Sequence, residues 1–308
     1  MRPAHFEFQP LAGHGLVDSG GGEKLERFGA ALLRRPEPQA LWRPRLPAAD
    51  WERADLVFER ETDRGGTWRV RPGSPNLVQG RDPAWTIEVG PATLWIRPTP
   101  FKHVGIFPEQ AANWRVLERL STRGAGGEPL RLLNLFGYTG AASVLAALHG
   151  CRVTHVDASR LALDGCRQNA VASGVPDGRL RYVLEDALVF ARREVRRGAK
   201  YSIVLLDPPH YGRGPKGQKW QLEEHLAELV ELAGALSAER ALIVLSTYAV
   251  GHSPLAFANL LDALEGGETA AGELVLVEES RAGLPARSLS QGFCARWWRG
   301  FEPADILP

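Results

Sequence analysis

The sequence predicts an α/β protein in which a doubly wound, mostly parallel sheet of seven strands follows a smaller β-rich domain. From about residue 100 onward, short apolar runs alternate with segments that repeat apolar residues at helical spacing. The last two apolar runs follow one another with no helical segment between them. The first hundred residues differ, because Pro and Gly interrupt short apolar runs that are typical of strands.

The change of character near residue 100 predicts two domains, residues 1–100 and residues 101–308. In the first domain, strands are predicted for the segments ADLVFERE, TWRVRPG and WTIEVGPATLWIRPT. The segment GEKLERFGAALLRR has a helical composition, and we predict a short helix there. This domain is expected to bind substrate or to act as a lid.

Five apolar runs of the second domain, each followed by a helical segment, predict parallel strands at LRLLNLF, CRVTHVD, LRYVLED, YSIVLLD and RALIVLST. Strands that are apolar along most of their length are buried on both faces, as in a parallel sheet covered by helices. A helix started by Pro108 precedes them. The final runs, ELVLVEESR and GFCARWW, have no helix between them and predict an antiparallel hairpin at the sheet edge.

Composition limits the class of protein. The net charge of +1 gives no whole-chain argument for a polyanionic partner, so such an argument needs a local patch. Cys151, Cys166 and Cys294 are too few and too scattered for a disulfide framework or a zinc site, and no metal is expected. The N-terminus lacks the apolar core of a signal peptide, and no stretch is long enough to span a membrane. We therefore expect a cytoplasmic protein.

The first predicted strand runs into the segment NLFGYTGAAS, at the end of the sheet where such folds bind ligands. Gly137 and Gly140 allow a tight turn and a close approach of the backbone, and Thr139 offers a hydroxyl at the helix start. The segment does not have the GxGxxG pattern, so it is a poor cradle for a diphosphate. A glycine turn that merely enters a helix is the alternative.

Acids end the next two predicted strands. Asp157 lies about 17 residues after Gly140, near the spacing at which an acid meets a ribose diol. Asp186 can accept a hydrogen bond from an adenine amine. Each acid alone could simply cap the helix that follows it. A glycine turn and two acids at three successive strand ends together indicate a nucleoside site without a strong diphosphate cradle.

The fourth predicted strand ends in the segment DPPHYGRGPKGQKW. Asp207 is followed by Pro208 and Pro209, which lack an N–H and form a rigid segment with outward carbonyls. A carboxylate and a fixed carbonyl can accept two hydrogen bonds from the exocyclic amine of a base. His210 and Tyr211 can stack on a flipped base.

Positive charge follows this segment. Arg213, Lys216 and Lys219 can pair with phosphates, and Trp220 is expected to open the next helix. The alternative is a charged surface loop, which explains the lysines but not an Asp-Pro-Pro sequence at a buried strand end.

These motifs in this order resemble the class I S-adenosylmethionine-dependent methyltransferases. More narrowly, HVGIFPEQ, LLNLFGYTGAAS, VDAS and LLDPPHYGRGPKG resemble the bacterial 23S rRNA large-subunit methyltransferase family, over roughly residues 100–298. The resemblance implies S-adenosylmethionine as cofactor, RNA as partner and a Rossmann-like methyltransferase sheet.

The resemblance also implies roles for individual residues. The methionine part of the cofactor would be lined by Asn134, Phe136, Gly137, Thr139 and Gly140. Asp157 would hold the ribose, Asp186 the adenine region and Asp207 the reacting end. The segment from Phe107 to Gln110 would close over the cofactor. Our catalytic candidates are Asp207, Pro208, Pro209 and Tyr211, and our substrate-binding candidates are His210, Tyr211, Arg213, Lys216 and Lys219.

Two departures from the family pattern matter. The first hundred residues show no clear sign of the PUA RNA-binding module with which such proteins often begin. Cytosine C5 methylation needs a cysteine that adds to the base, and in the cytosine-C5 members it follows the fifth strand. Here the corresponding turn is LSTYAVG, with Thr247 and Tyr248 in place of the thiol. We therefore predict methyl transfer to a nitrogen, and failing that to an oxygen, rather than to cytosine C5.

Three other interpretations remain open from the sequence. The acceptor could be a small molecule or a protein side chain, which the near-neutral charge favours. A nicotinamide-dependent oxidoreductase has the same fold class but needs a GxGxxG cradle. A module that binds cofactor or RNA without catalysis is the third.

Overall fold

The computed structural model describes residues 2–7, 11–62, 65–74, 83–122, 127–248, 251–280 and 284–307. Its strands, in chain order, are β1 (Arg2–Glu7), β2 (His14–Gly20), β3 (Glu23–Phe28), β4 (Ala31–Pro36), β5 (Leu56–Thr62), β6 (Gly65–Val70), β7 (Trp85–Val89), β8 (Ala92–Ile96), β9 (Arg131–Leu135), β10 (Arg152–Asp157), β11 (Leu180–Leu184), β12 (Tyr201–Leu206), β13 (Tyr211–Arg213), β14 (Lys219–Gln221), β15 (Ser237–Thr247), β16 (Glu268–Val277) and β17 (Ser288–Arg299). The helices are α1 (Ala48–Trp51), α2 (Ala111–Thr122), α3 (Ala141–Leu148), α4 (Arg160–Ala172), α5 (Ala187–Arg196), α6 (Leu222–Leu236), α7 (Pro254–Asp262) and α8 (Pro303–Ile306). A short 3-10 helix, Pro108–Gln110, leads into α2, as the position of Pro108 predicts.

The chain forms two compact units. One, which we call the sheet unit, comprises residues 1–7, 112–274 and 292–308. The other, which we call the N-terminal unit, comprises residues 8–111 and 275–291. The cut predicted at residue 100 does not coincide with these units. The chain after β8 folds back onto the N-terminal unit, where the Arg97 N–H donates to the Val104 carbonyl over 2.8 Å.

The sheet unit is built on eight strands in the order β1, β16, β17, β15, β12, β9, β10, β11. The five strands β9, β10, β11, β12 and β15 run parallel to their neighbours within this set. Strand β17 runs antiparallel to β15. The predicted doubly wound, mostly parallel fold with antiparallel strands toward one edge is therefore confirmed.

Strand β1 lies beside β16 and adds an eighth strand to the seven that the sequence predicts. Its residues belong to the sheet unit, whereas the sequence predicts them in the β-rich domain. Phe6 is fully buried in the core of the sheet unit, and the Arg296 guanidinium lies 4.1 Å from the centre of its ring. The edge of the sheet is therefore formed by the N-terminal end of the chain and not by the C-terminal hairpin.

Both faces of the parallel strands are covered, which explains their apolar runs. Leu206 packs in a buried cluster with residues of α5, α6 and α7, whereas Leu205 packs in another cluster with residues of α2 and α3. Since successive side chains of a strand point to opposite faces, each strand needs apolar residues at both parities.

The N-terminal unit contains a five-stranded sheet, β2 to β6 in sequence order, and the two-stranded pair β7 and β8. The strands predicted in the first domain are confirmed as β5 to β8. The helix predicted for GEKLERFGAALLRR was wrong, because these residues form the antiparallel pair β3 and β4. Gly29 has a φ of 62° in the turn between them, and Leu25, Phe28 and Leu33 are fully buried. Burial of one face therefore overrides the helical propensity of the segment.

A buried carboxylate joins the two chain stretches of the N-terminal unit. Asp18 of β2 accepts hydrogen bonds from the Leu46 N–H at 2.8 Å and the Trp51 indole at 3.0 Å. It also accepts from the Arg287 guanidinium at 2.8 Å. Residues 275–291 are thus attached to a strand more than 250 positions earlier in the chain.

Candidate functional site

The residues predicted to form a site follow strands that lie side by side. Strand β9 lies between β10 and β12, and the order of the parallel strands reverses at this point. Leu135 pairs with Val156 on one side and with Leu206 on the other. Since the carboxyl ends of parallel strands meet at one edge, the structure brings together there the residues after β9, β10, β11 and β12. These include Phe136, Gly137, Thr139, Gly140, Asp157, Asp186, Asp207, Pro208 and Pro209.

The turn after β9 has an uncommon backbone conformation. Phe136 and Tyr138 have φ values of 59° and 51°, and Gly140 has a φ of 79°. A residue with a side chain in this left-handed region costs about 1–2 kcal/mol, so the surroundings must hold the turn in place. The Tyr138 N–H donates to the Asp157 carboxylate over 2.8 Å, and the Gly137 N–H donates to the Val156 carbonyl over 3.1 Å. Strand β10 thereby fixes the turn that follows β9.

A buried histidine, missed by our sequence reasoning, supports this turn from below. The Asn134 side chain donates to Ser143 Oγ over 2.9 Å, and Ser143 Oγ lies 2.9 Å from His155 Nδ1. Because Ser143 accepts from Asn134, its hydroxyl hydrogen can go to His155 Nδ1, so we place the imidazole hydrogen on Nε2. Burial lowers the pKa of His155 to about 4, which keeps the ring neutral. The lone histidine in the strand RVTHVD was the available signal.

Two glycines of the turn are required by packing. A Cβ on Gly137 would lie 2.3 Å from His155 Cε1, and a Cβ on Gly140 would lie 2.2 Å from Cys166 Sγ. Asn134 uses its side-chain amide in the buried network beneath the turn. Asn134, Gly137 and Gly140 therefore have structural roles in this turn. Their contact with a cofactor stays a prediction.

Asp157 and Asp186 differ in their local contacts. Asp186 is the N-cap of α5 and accepts from the Val189 N–H over 3.0 Å, as the capping alternative expects. The cap of α4 is Ser159 and not Asp157. Asp157 instead accepts from the Ser159 and Tyr138 N–H groups with different oxygens, and burial raises the pKa of this carboxyl. Each carboxylate retains further lone pairs for a ligand.

The segment after β12 is held by the residues just before α6. The Trp220 indole donates to the Pro209 carbonyl over 2.6 Å, and the Leu222 N–H donates to the His210 carbonyl over 3.0 Å. One expectation is corrected, because Trp220 lies in β14 and does not open the helix, which starts at Leu222. The Pro209 carbonyl already accepts one hydrogen bond, from the Trp220 indole.

The basic segment predicted as a loop forms a β-hairpin of β13 and β14. Gly212 pairs with Trp220, which is buried at 4% exposure, so this side of the hairpin faces the protein. Side chains alternate along a strand, which places Tyr211, Arg213 and Lys219 together on the other side. Tyr211 is 65% exposed, and both basic residues are exposed.

Like charges meet across this hairpin. Arg213 and Lys219 are direct cross-strand partners, and Lys216 is exposed in the connecting turn. Like charges directly opposite one another destabilise a strand pair. The arrangement thus costs stability unless an anion neutralises it. We call the exposed side chains of Tyr211, Arg213 and Lys219 the hairpin face.

The two ends of the site are in contact through aromatic rings. The Phe136 ring packs edge-on against the Trp220 ring, with centroids 4.9 Å apart. Phe136 belongs to the left-handed turn, and Trp220 holds the Pro209 carbonyl. A shift of either segment would therefore displace the other.

His210 and Tyr211 form a second aromatic pair. Their ring centroids are 4.3 Å apart and the rings are within 10° of parallel. His210 Nε2 also lies 2.7 Å from the Glu223 carboxylate in the first turn of α6. His210 is thus attached by its backbone and by its side chain to the start of one helix.

The three cysteines are buried, with Cys151 directly before β10, Cys166 in α4 and Cys294 in β17. Burial raises the pKa of Cys166 to about 12 and also raises the pKa of Cys151 and Cys294. Such thiols are poor nucleophiles because the thiolate is disfavoured. Strand β15 ends at Thr247 and Tyr248 follows it, while residues 249–250 of the LSTYAVG turn lie outside the described residues.

Phe107 lies in the N-terminal unit, where it precedes the 3-10 helix and packs edge-on against His103 at 5.1 Å. Its closure over a cofactor stays a prediction. Within the described ranges, no cluster of three or more His, Cys, Asp or Glu side chains is placed to hold a metal ion. Among the helices that the structure describes, none is long and apolar enough to cross a membrane.

Known proteins share both the sequence and the fold. The family model described as Conserved hypothetical protein 95 matches residues 114–266. The crystal structure of an S-adenosylmethionine-dependent methyltransferase of Agrobacterium tumefaciens is 38% identical, with a TM-score of 0.88 over 96% of this chain and 95% of that one. This chain therefore belongs to the class I S-adenosylmethionine-dependent methyltransferases, as the sequence motifs predict. The interpretation as a nicotinamide-dependent oxidoreductase is set aside.

Two curated relatives carry names that refer to ribosomal RNA. A protein of Methanocaldococcus jannaschii, named as a candidate ribosomal RNA large subunit methyltransferase, is 28% identical over 62% of this chain and 48% of its own length. Ribosomal RNA large subunit methyltransferase I of Klebsiella pneumoniae is 38% identical over 30% of this chain and 23% of its own length. The chain thus spans less than half the length of these relatives.

The neutral buried imidazole beneath the turn predicts a dependence of stability on pH. His155 has a pKa of about 4 in the folded chain against an ordinary value of 6.5. Between these pH values the unfolded chain binds a proton at His155 and the folded chain does not. Stability should therefore fall as the pH drops from 6.5 to 4, and His155 should account for about 3 kcal/mol of that loss. Urea unfolding of the wild type and of His155→Gln at pH 7 and pH 4.5 measures it.

The two proteins serve as each other's control. The difference between them at pH 7 reports the packing lost in the variant, and the change of that difference with pH reports the titration. Parallel pH dependences for the two proteins would contradict a neutral buried His155.

Proposed function

We propose that this protein transfers the methyl group of S-adenosylmethionine to a base of RNA, at a nitrogen rather than at cytosine C5. The observation that carries the proposal is the hairpin face, which places an exposed aromatic ring and two cations beside the Asp207 segment. An unpaired base can stack on Tyr211 while Arg213 and Lys219 pair with phosphates. Lys216 in the turn adds a further cation to the same surface.

The residues after β9, β10 and β11 fit a sulfonium nucleoside better than a dinucleotide. The left-handed turn has no pattern for a diphosphate, whereas Asp157 and Asp186 offer carboxylate oxygens to hydroxyl and amine hydrogens. Asp157 would hold the ribose and Asp186 the adenine region, with Phe136, Gly137, Thr139 and Gly140 along the methionine part. When bound, the cofactor supplies a methyl group on a positively charged sulfur.

The protein's own part in the reaction is to align the acceptor. Asp207, fixed by the prolines that follow it, would accept hydrogen bonds from an exocyclic amine and turn its nitrogen toward the methyl group. Alignment of nucleophile and electrophile is the main requirement for such a transfer. The hydrogen bond from the Trp220 indole to the Pro209 carbonyl holds this segment in its conformation.

The buried thiols support a nitrogen acceptor. Methylation of cytosine C5 needs a thiolate at C6 of the base, and the cysteines that the structure describes are buried with raised pKa values. Attack by an amine needs no covalent intermediate.

RNA is favoured over other acceptors by the hairpin face and by the names of the relatives. A small molecule or a protein side chain is the second candidate, and the net charge of +1 is the observation that favours it. An rRNA substrate also agrees with the expected cytoplasmic location. The N-terminal unit would bind substrate or act as a lid.

Substitutions on the hairpin face are expected to weaken RNA binding and leave the cofactor site intact. Tyr211→Ala should raise KM for RNA about ten-fold, since stacking contributes ~1–3 kcal/mol per base. The double variant Arg213→Ala, Lys219→Ala should lower the slope of log affinity against log salt by about two, one for each lost phosphate contact. Filter binding at several salt concentrations and steady-state transfer of labelled methyl groups measure both.

Lys200→Ala is the matched control. Lys200 is an exposed cation that directly precedes β12, whereas the Asp207 segment follows the other end of this strand. It should leave RNA binding unchanged. A small-molecule or protein acceptor would be indicated instead if the hairpin variants kept the affinity and salt dependence of the wild type.

The chemistry of the acceptor can be identified from the product. RNA methylated by the purified protein should yield a nucleoside methylated on a base nitrogen, because no described thiol is available for attack on C6 of cytosine. Nucleoside mass spectrometry of the digested RNA detects it. Cys294→Ala should retain transfer, and 5-methylcytosine that disappears in this variant would contradict the nitrogen assignment.

A further inference from the structure

We propose that His210 is the group that takes up the proton released from the acceptor nitrogen, and that Glu223 positions it for this role. The proposal rests on the proposed function, since it concerns the same transfer to an amine of a base. It is carried by the geometry of the His210–Glu223 pair at the reaction end of the sheet. Neither residue has a role in the function as argued above beyond the stacking of His210 on Tyr211.

His210 is held both by its side chain and by its backbone. Its Nε2 lies 2.7 Å from Glu223 Oε1, and the His210 carbonyl accepts from the Leu222 N–H over 3.0 Å. The ring is further held against Tyr211, parallel within 10°. A ring with this many restraints has a defined direction for its other nitrogen, as a proton acceptor needs.

The contact with Glu223 defines the tautomer. A carboxylate accepts hydrogen bonds, so the neutral imidazole places its hydrogen on Nε2 and its lone pair on Nδ1. No contact is recorded for His210 Nδ1 among the residues that the structure describes. The side chain is 39% exposed, so the ring is accessible to substrate and to solvent.

Glu223 is suited to stabilise the imidazolium. A hydrogen bond from its own backbone N–H lowers the pKa of Glu223, and the His210 imidazole lowers it further. The residue lies in the first turn of α6, where a negative charge is favoured by the helix dipole. His252, which precedes α7, is a third titratable group that acts on this carboxylate. Among the described residues, Glu223 of α6 and Tyr211 of the hairpin contact the His210 ring, and His252 acts on Glu223.

The transfer then balances without an outside reactant. The lone pair of the amine nitrogen forms a bond to the methyl carbon, the carbon–sulfur bond breaks, and its electron pair stays on sulfur as a neutral thioether. The nitrogen becomes positively charged and gives its proton to His210 Nδ1. The imidazolium rests against Glu223 until the proton leaves to solvent. In this division of labour, Asp207 orients the amine and His210 accepts the proton.

His210→Asn should lower kcat for RNA methylation at least ten-fold, in keeping with the contribution of general base catalysis. The affinity for S-adenosylmethionine should stay within about two-fold, as measured by calorimetry. Added imidazole should restore part of the rate of His210→Ala.

Glu223→Gln tests the positioning role, with Glu224→Gln as the matched control. Glu224 lies in the same first turn of α6. The Glu223 variant should lower kcat for RNA methylation and leave KM unchanged, because the imidazolium loses its carboxylate. The Glu224 variant should keep the wild-type kcat.

The outcomes separate this proposal from the proposed function. If the wild type transfers no methyl group to RNA, both are overturned. If it does, and His210→Asn keeps the wild-type kcat or raises only KM, His210 serves stacking alone and the proton-acceptor proposal is overturned. Loss of kcat with imidazole rescue in His210→Ala supports it.

Discussion

The hydrogen bond from the Tyr138 N–H to the Asp157 carboxylate is the contact on which the arrangement of the site depends. It holds a turn in which two residues with side chains adopt a left-handed backbone, a conformation that would otherwise relax. The neutral His155 ring fills the space beneath Gly137, and Gly140 lies against Cys166. Strands β9 and β10 thus present one preformed edge, and the carboxylate that holds its turn is also the one expected to bind the ribose.

The reaction end is fixed by a different set of contacts that meets the first. Trp220 holds the Pro209 carbonyl with its indole N–H and packs its ring against Phe136 of the left-handed turn. The hairpin that carries Trp220 turns its other side outward, with Tyr211 and two cations. One tryptophan therefore connects the left-handed turn, the Asp207 segment and the surface proposed to bind RNA, so that the proposed cofactor and acceptor sites share one framework.

Much of this could be predicted from the sequence, for identifiable reasons. Parallel strands buried on both faces give continuous apolar runs, and acids and glycines at their ends mark the ligand edge. Strand β1 was missed because a six-residue strand at the chain end gives no sign of a partner more than 260 positions away. The pair β3 and β4 was read as a helix because its residues favour helices in isolation. The roles of Trp220 and Glu223 depend on tertiary contacts that no local pattern encodes.

A crystal structure with S-adenosylhomocysteine bound would test the proposed cofactor site most directly. We expect the ribose hydroxyls on Asp157, the adenine near Asp186, and the sulfur between the turn after β9 and Asp207. The turn itself should be unchanged on binding, because its backbone is already held by β10. A nucleoside bound away from the carboxyl ends of β9, β10 and β12 would contradict the proposed location of the cofactor site. A turn that refolds on binding would contradict a preformed site.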